Sequence, residues 1–260
     1  SNLCNFKCVM CGAGSSHLIA KEQNWNTPLS EINNFYETQL LDLLPQMTNL
    51  RHVQITGGEP LLHKKKNLDF LSKLSKDVKI QYRTNGSIYD NEVTDFLKTF
   101  DTVHFLTSID GQEDVLHYQR PKSEWSVIEE NLKQYKDNGF TIINTMTVTS
   151  FNIHQIPKFI NEQGYLFDYM VYTPVRFPEE YRVNLIQFSK LKQIVEELKQ
   201  ADDPEQGDLR NIIKDIEENY MYTPSNKIIE KFWTQAEYMK QHRGVDLEIL
   251  ISEMYAHYIR

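Results

Sequence analysis

The chain has 260 residues, and its 36 acidic side chains against 28 lysines and arginines give a formal charge of −8. This length allows one large domain, or one domain with a small appendage. The negative charge argues against general binding to nucleic-acid phosphates, and no apolar stretch approaches the roughly 18 residues of a membrane span. The polar N-terminus shows no signal peptide.

The first feature along the chain is a cysteine cluster. Cys4, Cys8 and Cys11 are its only cysteines, and their spacing is CxxxCxxC. Such a loop can place three thiolates on three irons of one [4Fe–4S] cube, because cysteine thiolates are the usual ligands of these clusters. A structural zinc site with His17 as fourth ligand and ordinary buried thiols are the alternatives. The odd cysteine count argues against a disulfide framework.

Strand and helix patterns alternate after the cysteines, which indicates an α/β fold with a parallel sheet. Apolar residues on one face predict a first helix over 28–44, started by Thr27 and Pro28. The predicted strands are 51–56, 78–83, 102–107, 140–148 and 168–173. The predicted helices between them are 67–75, 90–99, 126–139 and 155–163. Beyond residue 181 the pattern is helical, over 185–199, 208–217 and 225–241, with an acidic linker at 201–207 and a stop at Gly244.

Short polar motifs follow the ends of the first three predicted strands. They are Gly57-Gly58-Glu59-Pro60, Thr84-Asn85-Gly86 and Ser108-Ile109-Asp110-Gly111. Each motif could be an ordinary turn, since Asn-Gly and Asp-Gly commonly form turns. Arg120 follows in H-Y-Q-R-P, where a surface position is the alternative to a functional one.

These motifs, in this order after CxxxCxxC, resemble those of the radical S-adenosylmethionine (radical SAM) enzymes, and in particular their SPASM/Twitch branch. The tail W-T-Q-A-E-Y-M-K-Q-H-R-G resembles the ends of Twitch-type members. The resemblance covers residues 2–175 by motif and the tail more loosely. No cysteine follows Cys11, so this chain lacks auxiliary-cluster cysteines. Met10 stands where the family often has an aromatic residue before the third cysteine.

The resemblance implies an incomplete (β/α)6 TIM-type barrel over residues 1–180, with a helical C-terminal extension over 181–260 packed on the barrel. In the family the first barrel strand precedes the cysteine loop. That strand is therefore expected to be missing here, and the chain is expected to be a fragment, since a barrel without an edge strand exposes unpaired backbone groups.

The resemblance also implies roles for the motif residues. Cys4, Cys8 and Cys11 would hold the [4Fe–4S] cluster, and its open iron would bind S-adenosylmethionine (SAM). The glycines 57 and 58 would let the backbone approach the ligand closely. Glu59 would then accept a hydrogen bond from the SAM ammonium.

Five further residues complete the implied site. Arg120 would pair with the SAM carboxylate through its planar fork. Ser108 would bind the ribose, for which Asn85 and Asp110 are further candidates. Phe6 would shield the cluster in place of the aromatic residue that Met10 replaces.

By resemblance, the chain is a radical SAM enzyme that cleaves SAM reductively and forms a 5′-deoxyadenosyl radical for C–H abstraction. Its substrate would be a peptide or protein side chain, with a small molecule such as a nucleoside or sugar as an alternative. An external one-electron reductant of flavodoxin or ferredoxin type and a reducing cytoplasm are implied. The rival interpretation is a non-catalytic Cys3His zinc-binding interaction module.

Overall fold

The computed structural model describes residues 2–25, 40–201 and 208–260. The predicted helix over 28–44 and the predicted linker over 201–207 lie largely outside these described residues. Only the last residues of that helix are described, where helical turns cover 40–46.

Five strands lie within a residue or two of the predicted ones. They are β1 (His52–Ile55), β2 (Lys79–Thr84), β3 (Val103–Thr107), β4 (Thr141–Val148) and β5 (Tyr169–Pro174). Along β2 and β4 the side chains alternate between buried and half-buried, as expected when one face of a strand packs on a core. β1 pairs in parallel with β2, β2 with β3, and β4 with β5. Parallel strands separated by helices confirm the predicted α/β class.

The helices match the predicted ones where the apolar pattern was long. They are α1 (His17–Glu22), α2 (Lys64–Ser72), α3 (Asn91–Leu97), α4 (Glu113–Gln119), α5 (Trp125–Asp137), α6 (Ile156–Gln163), α7 (Phe188–Gln200), α8 (Leu209–Asn219), α9 (Asn226–Arg243), α10 (Leu247–Leu250) and α11 (Ser252–Tyr255). The sequence did not predict α1, α4, α10 and α11, which have four to seven residues. Within the described ranges, none of the helices is long and apolar enough to span a membrane.

Local chemistry sets several helix ends. Asp90 begins α3, because its side chain accepts a hydrogen bond from the backbone N–H of Val93 at 3.0 Å, a common N-cap arrangement. Gly244 ends α9 in the left-handed conformation, with φ of +70°. The predicted stop at this glycine is therefore confirmed, since glycine adopts this conformation without steric cost.

The chain divides into two compact units that are not continuous in sequence. The first unit contains residues 1–7, 11–107 and 127–142, and the second contains 8–10, 108–126 and 143–260. The boundary predicted near residue 180 does not coincide with these divisions and stays a prediction.

Aromatic side chains form the core of each unit. In the first unit Phe105 of β3 stacks on Tyr135 of α5 with ring centroids 4.0 Å apart, which packs this helix on the strands. In the second unit Phe151 stacks on Phe232 of α9 at 5.9 Å, and Tyr258 packs against Phe232 at 4.9 Å. The predicted C-terminal helices thus share a core with the segment after β4.

The segment before the first cysteine lies against the loop that follows β1. The backbone N–H of Glu59 donates to the carbonyl oxygen of Leu3 at 2.7 Å. Gly57 has φ of +151°, and a Cβ on Gly58 would lie 2.2 Å from the same carbonyl oxygen. Both glycines are therefore required by the backbone, one for its conformation and one for the close approach.

We expect the Gly58→Ala variant to lose about 1–3 kcal/mol of stability or more, because the added methyl group collides with backbone atoms of Leu3 that have little freedom to move. The measurement is the free energy of chemical unfolding of the cluster-free protein. Gly12→Ala is the matched control, since nothing lies within 4 Å of a Cβ at that position. Equal stability of the two variants would contradict the close packing of this segment.

Candidate cofactor-binding site

In the first unit, the segment around Cys4 packs beside α1. Cys4 is buried and Cys11 is half-buried. The backbone N–H of Cys4 donates to Nδ1 of His17 at 3.1 Å, and the Ser16 hydroxyl donates to the carbonyl oxygen of Phe6 at 2.8 Å. Phe6 is itself buried, as its predicted shielding role requires. These contacts fix the backbone around the first cysteine.

The described residues contain no preformed site for a single metal ion. Among the residues that the structure describes, no three His, Cys, Asp or Glu side chains converge on a point that one metal ion could occupy. A zinc site needs its donors within about 2.0–2.3 Å of a single ion. The zinc site and the cluster both stay predictions for these cysteines.

Glu59 is the buried acceptor of the first unit. Its side chain is fully buried, and it accepts backbone N–H bonds from Leu61 at 3.1 Å and from Asn85 at 2.8 Å. The Thr84 hydroxyl lies 3.0 Å from both carboxylate oxygens. The loop after β1 and the end of β2 thus meet at this carboxylate, as parallel strands bring their carboxyl ends to one edge.

Burial raises the pKa of the Glu59 carboxyl above its usual value, although hydrogen bonds from Asn85, Leu61 and Thr84 act in the opposite direction. Removal from water disfavours the charged form, and hydrogen-bond donors favour it. A cationic ligand beside this carboxylate would supply the charge compensation that the protein donors do not.

Asn85 connects the cysteine loop to the end of β2. Its amide nitrogen donates to the Asn5 side chain at 2.9 Å, and the Asn5 amide donates to Ser87 at 2.8 Å. The Ser87 hydroxyl closes the ring by donating to the Asn85 side-chain oxygen at 2.6 Å. The contacts of Asn85 are those of a residue that positions the loop, and its predicted ribose contact stays a prediction.

In the second unit, Arg120 forms a buried ion pair with Asp110. Nε and Nη2 of Arg120 lie 2.8 and 2.6 Å from Oδ2 of Asp110, and Asp110 Oδ1 accepts the backbone N–H of Thr147 at 2.7 Å. The third guanidinium nitrogen, Nη1, lies 3.5 Å from the sulfur of Cys8. The surface alternative for Arg120 is wrong, because this side chain is buried.

The ion pair between Arg120 and Asp110 bears on the ligand contacts predicted for both residues. Asp110 holds Arg120 and Thr147, so its observed contacts are with the protein. In this structure Asp110 occupies the Nε–Nη2 edge of Arg120, the edge that suits a bidentate carboxylate. The predicted contacts of Arg120 with a ligand carboxylate and of Asp110 with a ribose stay predictions.

Ser108 differs from these residues. It is half-buried at the end of β3, and its hydroxyl makes no hydrogen bond within the described part of the chain. Such a hydroxyl can bind a ligand without first losing a protein partner. The Ser108 hydroxyl is therefore suited to bind a ribose, and this contact stays a prediction.

Sequence reasoning missed several polar residues that support the site. Asn144 bonds both backbone groups of Ile109 at 3.0 Å, and Asn152 donates to the carbonyl oxygen of Asp110 at 2.8 Å. Gln119 donates to the same carbonyl oxygen at 3.1 Å. No sequence signal marks these residues, because their partners are backbone atoms distant in sequence. Thr84 could have been found, since it precedes Asn85 in the T-N-G motif.

Comparisons with a family model and a curated protein relate this chain to known sequences. A family model described as the Radical SAM superfamily matches residues 1–162. The uncharacterized protein MJ0907 of Methanocaldococcus jannaschii is 26% identical over 168 residues, which are 62% of this chain and 54% of that protein.

Solved structures show the same fold at low sequence identity. Native anSMEcpe with bound AdoMet is 16% identical with a TM-score of 0.53, over 95% of this chain and 65% of that one. SuiB of Streptococcus suis is 14% identical with a TM-score of 0.51, over 78% of this chain and 46% of that one. The chain thus spans about half to two thirds of these relatives. Their likeness confirms the predicted fold class, a partial barrel with C-terminal helices.

We expect Glu59→Gln to change how stability depends on pH. A raised folded pKa means that the folded protein binds this proton more tightly than the unfolded chain does. Wild-type stability therefore falls as pH rises from the usual value of 4.5 towards the raised folded pKa. The variant lacks this contribution, so wild-type stability relative to the variant should decline over that interval.

The measurement is the free energy of unfolding of the cluster-free protein between about pH 4 and pH 8. Glu230→Gln, at an exposed position on α9, is the control and should leave the slope unchanged. If Glu59→Gln gave the wild-type slope, Glu59 would titrate at its usual value and would not be the desolvated group described above.

Proposed function

The chain belongs to the radical SAM superfamily, whose members are enzymes that use a [4Fe–4S] cluster and SAM, and we propose that it is the catalytic core of such an enzyme. The observation that carries this proposal is the match over residues 1–162, which contains all three cysteines, G-G-E-P, S-I-D-G and Arg120. The donor set fits the group, because three cysteines within eight residues suit a thiolate-ligated cluster.

When bound, the cluster and SAM supply one-electron cleavage of the SAM carbon–sulfur bond, which yields methionine and a 5′-deoxyadenosyl radical that abstracts hydrogen from a C–H bond. The protein binds and orients these groups and excludes water. Cys4, Cys8 and Cys11 would hold the cluster, and Phe6, which follows Cys4 by two residues and is buried, would shield it.

Glu59 would bind the SAM ammonium. Its carboxylate is buried and is held by backbone N–H groups, so it is fixed before a ligand arrives. Burial raises its pKa, which means that the charged form gains from a nearby cation. Gly57 adds no side chain at this point, so a ligand can approach its backbone, whereas the space beside Gly58 is taken by the backbone of Leu3.

Ser108 and Arg120 would bind the rest of SAM. The Ser108 hydroxyl has no protein partner among the described residues and suits a ribose hydroxyl. Arg120 would meet the SAM carboxylate, and because Asp110 occupies one edge of its guanidinium, this contact would use Nη1 or require rearrangement of the pair. Asn85 and Asp110 would position these groups and could also contact the ribose.

A peptide or protein side chain is the proposed substrate. The support is a likeness in fold to native anSMEcpe with bound AdoMet and Cp18Cys peptide, at 16% identity and a TM-score of 0.53. The order of the motifs also favours the SPASM/Twitch branch, in a form without auxiliary-cluster cysteines in this chain. We assign the barrel to residues 1–180 and the helical extension to 181–260.

The reaction needs an external one-electron donor of flavodoxin or ferredoxin type, since the chain carries thiolates for one cluster only. Reduced thiols favour a reducing cytoplasm as its location. The charge of −8 disfavours general binding to nucleic acids.

We expect alanine at Cys4, Cys8 or Cys11 to abolish cluster assembly and SAM cleavage together, because two thiolates do not retain the cube. Wild-type protein reconstituted anaerobically should hold about four irons per chain, as for one cube. The measurements are iron content and 5′-deoxyadenosine formation with dithionite. Ser15→Ala, at an exposed position nearby, should keep both. Zinc without iron in the wild-type protein would favour the interaction module.

We expect Glu59→Gln and Arg120→Ala to keep the cluster and to weaken SAM binding. Each removes one charged hydrogen-bond partner, on the order of 1.5–3 kcal/mol, which is roughly a ten- to hundredfold loss of affinity. The measurement is SAM affinity of iron-matched samples by calorimetry, with Glu230→Gln as the control. If SAM affinity were unchanged in both variants, Glu59 and Arg120 would have structural roles only and would not bind SAM.

A further inference from the structure

The sulfur of Cys8 has a cationic neighbour. Nη1 of Arg120 lies 3.5 Å from Sγ of Cys8, and both side chains are buried. A guanidinium always carries its charge and donates hydrogen bonds in fixed directions. The sulfur of one predicted cluster ligand therefore receives a charged hydrogen bond inside the protein.

Asp110 keeps the guanidinium in this orientation. It binds Nε and Nη2 through a single oxygen and leaves Nη1 directed at the sulfur. The other oxygen of Asp110 is held by the backbone N–H of Thr147, and its carbonyl oxygen by Asn152. Because Asp110 is fully buried and held on several sides, Arg120 cannot turn away from Cys8 without breaking the pair.

The backbone around Cys8 is held by Gln119, the neighbour of Arg120, and by Arg243. The N–H of Val9 donates to the carbonyl oxygen of Gln119 at 2.8 Å, so the residue after Cys8 is bonded to the residue before Arg120. Nη1 of Arg243, at the end of α9, lies 3.5 Å from the carbonyl oxygen of Cys8. The sulfur and the guanidinium are thus kept together by the backbone as well as by their own contact.

We propose that Arg120, oriented by Asp110, donates a hydrogen bond to the Cys8 sulfur and raises the reduction potential of the cluster before SAM binds. This inference rests on the proposed function, in which Cys8 is a cluster ligand. Reduction adds one electron from an external donor to the cluster and makes it more negative. A positive hydrogen-bond donor at a ligand sulfur stabilises that reduced state, because hydrogen bonds to sulfur and local charge set the potentials of these clusters.

This role of Arg120 differs from binding the SAM carboxylate, because it acts on the cluster before SAM is present. Asp110 acts through Arg120 and is a positioning residue. Arg120→Leu removes the donor and the charge together. Arg120→Lys keeps the charge. The lysine side chain has only one nitrogen, so it cannot bind Asp110 as Nε and Nη2 do and also donate to the Cys8 sulfur as Nη1 does.

The experiment is a redox titration of the reconstituted protein without SAM, followed by electron paramagnetic resonance. Iron content is measured first, so that only cluster-loaded samples are compared. Arg120→Leu should lower the equilibrium constant for reduction of the cluster at least threefold. For one electron this is a fall of about 28 mV in the reduction potential, at 59 mV per tenfold change in the constant. Arg120→Lys and Asp110→Asn should lower it by less. Arg210→Leu, at an exposed position on α8, should not change it.

A wild-type potential in cluster-loaded Arg120→Leu would overturn the inference and leave the proposed function intact. Loss of iron from both Arg120→Leu and Arg120→Lys would also overturn it, since Arg120 would then act in cluster assembly or folding. If the wild-type protein held no iron after reconstitution, the proposed function itself would be wrong, and this inference with it.

Discussion

A carboxylate can be removed from water only where hydrogen-bond donors replace the solvent, and each unit of this protein contains such a group at its site. In the first unit the donors to Glu59 come from the loop after β1 and the end of β2. In the second, Asp110 is held by Thr147 and Arg120. This requirement explains why the residues after the strands are polar and why their backbone is fixed.

The two carboxylates differ in what they offer a ligand. Asp110 already has a cation, so it serves to orient Arg120. Among the described residues only neutral donors hold Glu59, and burial raises its pKa, so a ligand cation would complete its environment. A site for an amino acid moiety needs an acceptor for the ammonium and a donor for the carboxylate. In the proposed function Glu59 would be the acceptor and Arg120 the donor.

Much of the fold could be predicted from sequence. The strand β2 alternates between apolar and polar residues, and α7 and α8 carry apolar residues at helical spacing, so local pattern was enough to find them. Gly244 was recognised as a helix stop for an equally local reason. Two short helices, α1 and α4, were missed, although α3, which has seven residues like α4, was found.

The sequence by itself determined the donor types and their order: three cysteines in a short loop, Glu59 after the first strand, and Arg120 after the third. These are local facts, since a motif needs only neighbouring residues. Only the tertiary structure decided that Asp110 holds Arg120, that Arg120 reaches the Cys8 sulfur, and that Asn5 bonds Asn85. Cys8 and Arg120 are 112 residues apart, and a contact over such a separation depends on how the whole chain packs, which no local pattern encodes.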